Sequence, residues 1–167
     1  MKLIGLISDT HIPSRGNSLP KSVIKAFTDV NMILHAGDFE KLQVASTLEK
    51  IAPLKAVHGN MCHHEVLKKF PKIDIINVEG VKIGLTHGSG GPSGYFERIL
   101  KEFDLKGNSK IDIIVSGHTH NPIAKVFKGI QFINPGSPTD KVFTTRNTVV
   151  LLQINGSNYK YKYIDIF

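Results

Sequence analysis

Hydrophobic residues in this chain gather into short runs that stop abruptly at glycine or a polar residue. Four read as strands: "LIGLIS" at 3–8, "NMILHAG" at 31–37, "PLKAVHG" at 53–59 and "IDIIVSG" at 111–117. Runs that are apolar almost throughout predict strands covered on both faces. Between and after the first three, the period changes to that of a helix. Val23, Ile24 and Phe27 form a stripe within 20–29, with Pro20 near its start, and Leu42, Ala45, Leu48 and Ile51 form another around 40–50. Further helices are predicted over 63–70 and 94–103. The order predicts a βαβαβα unit with right-handed crossovers, its strand ends lying along one sheet edge.

The second half is built of paired strands. "IDIINV" and "VKIGLTH" flank Glu79–Gly80, "IAKVFKG" and "IQFIN" meet at Lys128–Gly129, and "TVVLLQI" and "NYKYKYIDI" flank "NGS". These are hairpin signals, and they predict a second, largely antiparallel sheet packed on the first. Tyr159, Tyr161 and Tyr163 read as one face of the terminal strand rather than a base-stacking platform. No repeat or linker divides the chain, so residues 1–167 are expected to form a single domain.

Composition narrows this picture only modestly. With 41% hydrophobic and 21% charged residues the chain has the balance of a globular protein. No apolar run approaches the roughly 20 residues needed to span a bilayer. "MKLIGLISDTH" is interrupted by Asp9 and His11 before any cleavage site, so no signal peptide is expected. The single cysteine, Cys62, suits a reducing interior, and a cytoplasmic location is expected. The formal charge of +7 is spread over scattered lysines. It therefore argues only weakly for nucleic acid.

The chemistry lies where the runs stop. Asp9 and His11 follow the first strand, Asp38 the second and Asn60 the third. His87 follows "KIGLT", and His118 and His120 follow the 111–117 run. Carboxyl ends of parallel strands open into a common crevice, so these seven residues are expected to meet. A mixed nitrogen and oxygen set suits Mn²⁺, Fe²⁺, Co²⁺, Ni²⁺ or Zn²⁺. Seven ligands exceed one tetrahedral site and fit two ions sharing a carboxylate, an arrangement that recurs in phosphatases and nucleases. Gly37, Gly59, Gly88 and Gly117 each neighbour a ligand, as close backbone approach would require.

The ordered series "SDTH", "AGD", "HGN", "THG" and "GHTH" resembles the calcineurin-like metallophosphoesterases over about residues 3–154. "HIPSRGNSLP" and "INPGSP" resemble the compact phosphodiesterase-like branch, which also holds the phosphoesterase-like retromer subunit. The resemblance implies an α/β fold, a four-layer α/β/β/α sandwich of two mixed sheets flanked by helices. It also implies that Asp9, His11 and His120 hold one ion, that Asn60, His87 and His118 hold the other, and that Asp38 bridges them. The implied cofactors are two divalent ions, Mn²⁺ first among them, with Ni²⁺, Fe²⁺, Co²⁺ and Zn²⁺ as alternatives.

The implied reaction is hydrolysis of a phosphodiester through a metal-bridging hydroxide, with Asn60 and His58 as further catalytic groups. His58 stands before "GN", where many relatives carry arginine, and a structural role weighs equally. His35, on an apolar strand, reads as a packed or supporting residue. "NPGS" at 134–137 is either a turn or a wall of the crevice. One position departs from the pattern. Large family members place a proton-donating histidine after the asparagine; here it is Met61, followed by Cys62, His63 and His64. The expected substrate is a small phosphate ester with a good leaving group, and the exposed terminal strands, together with the resemblance, leave room for a homodimer without fixing the subunit count. A non-catalytic interaction scaffold of the same fold is the rival reading, and a nuclease ranks third.

Overall fold

The structure, a computed structural model, describes residues 1–104 and 110–166. The first half follows the predicted alternation: β1 (Lys2–Ile7), α1 (Lys21–Ala26), β2 (Met32–His35), α2 (Leu42–Glu49), β3 (Leu54–Ala56) and α3 (His64–Lys69). Then come β4 (Ile73–Val78), β5 (Val81–Thr86), α4 (Tyr95–Asp104), β6 (Ile113–Val115), β7 (Pro122–Phe127), β8 (Ile130–Pro135), β9 (Thr148–Asn155) and β10 (Asn158–Asp165).

Two five-stranded mixed sheets result, ordered β10-β9-β1-β2-β3 and β4-β5-β6-β8-β7. Each contains a parallel triplet, β1-β2-β3 in the first and β5-β6-β8 in the second. Antiparallel strands complete each sheet. Two local expectations are corrected here. The second sheet is not largely antiparallel, because β6 enters its centre parallel to both neighbours. The third hairpin, β9–β10, pairs with β1 in the first sheet. A hairpin cue specifies which strands pair with each other, but not which sheet they join.

Three apolar clusters separate four layers. Val23, Val44, Leu48 and Val66 from α1–α3 pack on Ile33 and Val149 of the first sheet. Leu6, Leu34, Val150 and Leu152 meet Ile83, Leu85, Val115 and Ile133 between the sheets. Tyr95, Ile99 and Phe103 of α4, spaced four apart, pack on Ile114 and Phe132. Strands buried on both faces must be apolar throughout, which is why β1, β2 and β6 show no alternation. In the first helix Val23 and Phe27 are buried while Ile24 is 39% exposed, so the stripe is narrower than its spacing suggests. Tyr163 of β10 donates its hydroxyl to the Ile123 and Asn134 carbonyls at 2.7 and 3.1 Å, so it acts as a tie between the sheets. No helix among the described residues is long and apolar enough to cross a membrane.

Candidate metal centre

Both parallel triplets end towards one crevice. The loops leaving β1 and β2 run side by side, with Asp9 N–H donating to Gly37 C=O at 3.0 Å and His11 N–H to Asp38 C=O at 2.9 Å. Within the second sheet, Gly117 N–H donates to His87 C=O at 3.1 Å, and across the sheets both Asp9 carboxylate oxygens accept the His118 N–H at 3.0–3.1 Å. Three of these loops share an unusual backbone. Asp9 and His11, Asp38 and Glu40, and His118 and His120 all have φ between 41° and 71°. Left-handed backbone at a non-glycine residue costs on the order of 1–3 kcal/mol and clusters at functional sites. Two glycines make the approach possible. A Cβ on Gly59 would stand 2.1 Å from Asp38 Oδ1, and one on Gly117 2.6 Å from Asp9 Oδ2.

The side chains converge as two groups, Asp9–His11–His120 and Asp9–Asp38–His87, all buried. Their hydrogen-bonding leaves lone pairs facing inward. Nδ1 of His11 lies 3.2 Å from Glu40 Oε1, and Nδ1 of His120 bonds Asp140 Oδ2. An ionised carboxylate only accepts, so Nδ1 carries a proton in both rings, and in the neutral imidazole Nε2 is then the nitrogen with the lone pair. Yet the two Nε2 atoms stand 3.2 Å apart, with Asp9 Oδ1 3.4 Å from one and 3.9 Å from the other. Nδ1 of His87 faces the Ala36 carbonyl at 2.8 Å, which likewise directs its Nε2 inward. That Nε2 is buried, 3.0 Å from Asp38 Oδ2, and makes no aligned hydrogen bond with any described group. Two buried carboxylates and three imidazole Nε2 atoms brought this close form a donor set that suits a divalent cation. The residues therefore fit divalent metal.

The electrostatics of the metal-free cluster agree. Burial raises the Asp9 carboxyl, against the pull of His87 and His120. Burial also works against ionised Asp38, but its contact with His87 and the Met61 N–H outweigh it and hold this carboxyl low. Burial disfavours protonated His87, yet Asp38 and Asp9 raise it to about 9.

The remaining sequence-derived residues fall into distinct places. His118 lies 5.2 Å from His87, ring to ring, with Nε2 2.8 Å from the Gly90 carbonyl. Among the described residues its Nδ1 has no hydrogen-bond partner. Asn60 receives the Ser89 hydroxyl at 3.0 Å on Oδ1. Both line an open cavity of about 560 Å³ with His11, Asp38 and His120. His58 instead lines a neighbouring recess of about 310 Å³ with Asn60, Cys62 and Lys72. His35 is buried, donates Nε2–H to Thr10 Oγ1 at 3.2 Å and accepts the Gly37 N–H. Burial lowers it to about 3 and keeps it neutral, a packed support for the loop. Cys62 is a packed thiol, raised by burial, and accepts the Gly59 N–H. His63 and His64 are exposed at the start of α3.

"NPGS" proves to be a brace behind the loops. Asn134 Nδ2 donates to Gly117 C=O at 2.7 Å, and the Ser137 hydroxyl to Asp9 C=O at 2.6 Å. Two site residues escape the sequence reading, Glu40 and Asp140. Glu40 had a signal, since Asp38-x-Glu40 repeats the spacing of Asp9-x-His11 and His118-x-His120. Asp140 had none; it lies in a loop with no periodicity.

A sandwich of two mixed sheets with a histidine–carboxylate cluster at its parallel strand ends defines a metal-binding hydrolase scaffold. Residues 1–157 match the calcineurin-like phosphoesterase superfamily domain, and the chain belongs to that family. It is 39% identical over 154 residues to a probable metallophosphoesterase of Methanothermobacter thermautotrophicus, covering 92% of this chain and 87% of that protein. It is 30% identical over 149 residues to a phosphodiesterase of Methanocaldococcus jannaschii, covering 80% and 82%. Vps29 of Entamoeba histolytica, in a crystal structure with Zn²⁺, superposes with a TM-score of 0.75 at 23% identity over 99% of both chains, a likeness of fold.

Proposed function

We propose that this protein is a binuclear-metal phosphodiesterase. The single observation that carries this reading is the facing of the Nε2 atoms of His11 and His120 at 3.2 Å beside the Asp9 carboxylate. Asp9, His11 and His120 would hold one ion, with Mn²⁺ the first choice and Ni²⁺, Fe²⁺, Co²⁺ and Zn²⁺ as alternatives. His87, His118 and Asn60 would hold the second. Asp38 would bridge, its Oδ2 lying 3.0 Å from His87 Nε2 and 3.7 Å from His11 Nε2. When bound, such a pair supplies Lewis acidity to water and to the phosphoryl oxygens.

The chain's own residues do the rest. Glu40 and Asp140 keep the Nδ1 protons of His11 and His120 in place and so keep both Nε2 atoms available. The Met61 N–H donates to Asp38 Oδ1 at 2.8 Å and fixes that carboxylate. Asn60 presents an amide at the cavity wall, where it can also meet a non-bridging phosphoryl oxygen. His58 would act from the adjoining recess, which it shares with Asn60. Met61 carries no proton to give a leaving group, so esters of acidic alcohols are the favoured substrates. The name of the Methanocaldococcus relative supports the diester.

The rival reading, a protein-interaction scaffold, draws on the Vps29-like fold and on Met61 and buried Cys62 where an acid could stand. Hydrolysis of a chromogenic phosphodiester with and without Mn²⁺ or Ni²⁺ separates the two. Metal-dependent turnover is the expected result. Bound ions without turnover across the metal series would favour the scaffold.

A further inference from the structure

We propose that Arg15 and Phe143 form a substrate subsite, Arg15 taking a non-bridging phosphoryl oxygen and Phe143 an aromatic ester arm. The proposal rests on the phosphoesterase reading and names the substrate class. Arg15 lies on the loop that carries His11. Its own N–H donates to the His11 carbonyl, and the Ser14 N–H and hydroxyl donate to Glu40 Oε2 at 3.2 and 2.8 Å. The backbone beneath Arg15 is thus pinned to a site residue on each side. Its side chain is 30% exposed and lines the 560 Å³ cavity together with His11, Asp38, His118 and His120.

The chain has three arginines, and the structure uses two of them fully. Arg146 forks onto the Asp165 carboxylate at 2.7 and 3.2 Å. Arg98 donates to the Ser89 and Ser93 carbonyls at 3.1 and 3.0 Å. Arg15 is different. Among the described residues its guanidinium donates no hydrogen bond, and the nearest carboxylate oxygen, Asp140 Oδ1, is 3.9 Å away, beyond hydrogen-bonding range. Asp140 is already engaged, by His120 and by the Val142 N–H at 2.8 Å. A half-buried fork of donors left open over a metal-ligand floor matches a phosphoryl group in charge and geometry.

Phe143 holds this guanidinium in place, its ring centroid 5.3 Å from Arg15 Cζ. The same ring lies edge-on to His120 at 5.5 Å, so the subsite touches a metal ligand directly. Phe143 is nevertheless 62% exposed and Met61 53%, and both line the cavity. A single exposed apolar side chain is ordinary. Two on the rim of one polar cavity, beside a guanidinium whose N–H donors are open, point to a ligand that is anionic at one end and flat and apolar at the other.

The test reads binding, so it does not depend on turnover. Affinities of the Mn²⁺-loaded protein for inorganic phosphate, phenyl phosphate and methyl phosphate would be measured by titration calorimetry, with metal content determined for each variant. Arg15→Ala should weaken inorganic phosphate by about 10- to 100-fold at unchanged metal content. Arg15→Lys should recover part of that loss and guards against a variant that does not fold. The wild type should prefer phenyl over methyl phosphate by about tenfold, and Phe143→Ala should erase that preference. Equal phosphate affinity in wild type and Arg15→Ala, or no phosphate binding by the wild type, would overturn the subsite. Arg15-dependent binding without any diester turnover would instead overturn the phosphodiesterase reading and leave the subsite standing.

Discussion

The Glu40 carboxylate stands 3.2 Å from Nδ1 of His11, buried, on the residue two places after Asp38 and with the same left-handed backbone. Its other oxygen holds Ser14, so the carboxylate cannot turn away from the ring. Removing such a support typically lowers metal affinity by about 10- to 100-fold. Glu40→Ala should therefore bind Mn²⁺ that much more weakly, and Glu40→Gln less so, because its amide oxygen still accepts. Titration calorimetry on the metal-stripped protein checks both, and circular dichroism should report an intact fold.

Loading the cluster should stabilise the whole chain. At a free Mn²⁺ concentration about 100 times Kd, binding to the native state adds about 2.7 kcal/mol. For a chain of this size that raises Tm by about 5–10 °C. Asp38→Asn, which removes the carboxylate charge, and His120→Ala, which removes a convergent nitrogen, should abolish both that rise and metal-dependent turnover. Chelator should reverse the rise in the wild type. Thermal scans with and without metal decide it.

His87 sets a pH dependence whose sign follows from its position between Asp9 and Asp38. In the metal-free protein it is raised from 6.5 to about 9. The folded state therefore holds this proton more tightly than the unfolded chain, and the resulting stability is complete below 6.5 and lost as pH rises through 9. A metal ion must displace the same proton, so apparent affinity should climb with pH over this interval. Urea titrations of the metal-free protein at pH 6 and pH 9.5 should show the lower stability at pH 9.5. His87→Asn should flatten that part of the curve.

Much of this site is legible in the sequence because its residues sit where apolar runs end. The motif order locates Asp9, His11, Asp38, His87 and His120 without any knowledge of strand pairing. Sheet membership is another matter. Nothing local in "IDIIVSG" distinguishes a place in the first sheet from the centre of the second, and only pairing with β5 and β8 decides it. Supports are harder still. Asp140 reaches His120 from a loop twenty residues away, and its role exists only in three dimensions. "NPGS" reads as either a turn or a wall of the crevice, but its function as a brace depends on Asn134 and Ser137 reaching the Gly117 and Asp9 carbonyls.

Gly59 offers a steric test of the centre. An added Cβ would stand 2.1 Å from Asp38 Oδ1, the oxygen that the Met61 N–H holds at 2.8 Å. Gly59→Ala must push the carboxylate off its position, at about 1–3 kcal/mol of overpacking. The expected result is a folded protein with weakened metal binding, seen as a smaller Mn²⁺-induced Tm rise.

Met61 allows the leaving-group argument to be tested in the gaining direction. Its side chain lines the cavity and is 53% exposed, so the position can accept a different side chain without disturbing the core. Its backbone N–H, which fixes Asp38, is independent of side-chain identity. A positioned general acid typically contributes 10²–10⁴-fold, and it matters most when the departing alcohol is a poor leaving group. Met61→His should therefore raise kcat for alkyl diesters by at least about tenfold, while aryl diesters change little. The ratio of alkyl to aryl turnover, measured from pH 6 to 8, is the decisive quantity. It should rise most at the acid end, where the introduced imidazole is protonated. A ratio equal to that of the parent protein would mean that position 61 does not face the departing oxygen, and that proton delivery belongs to some other wall of the cavity.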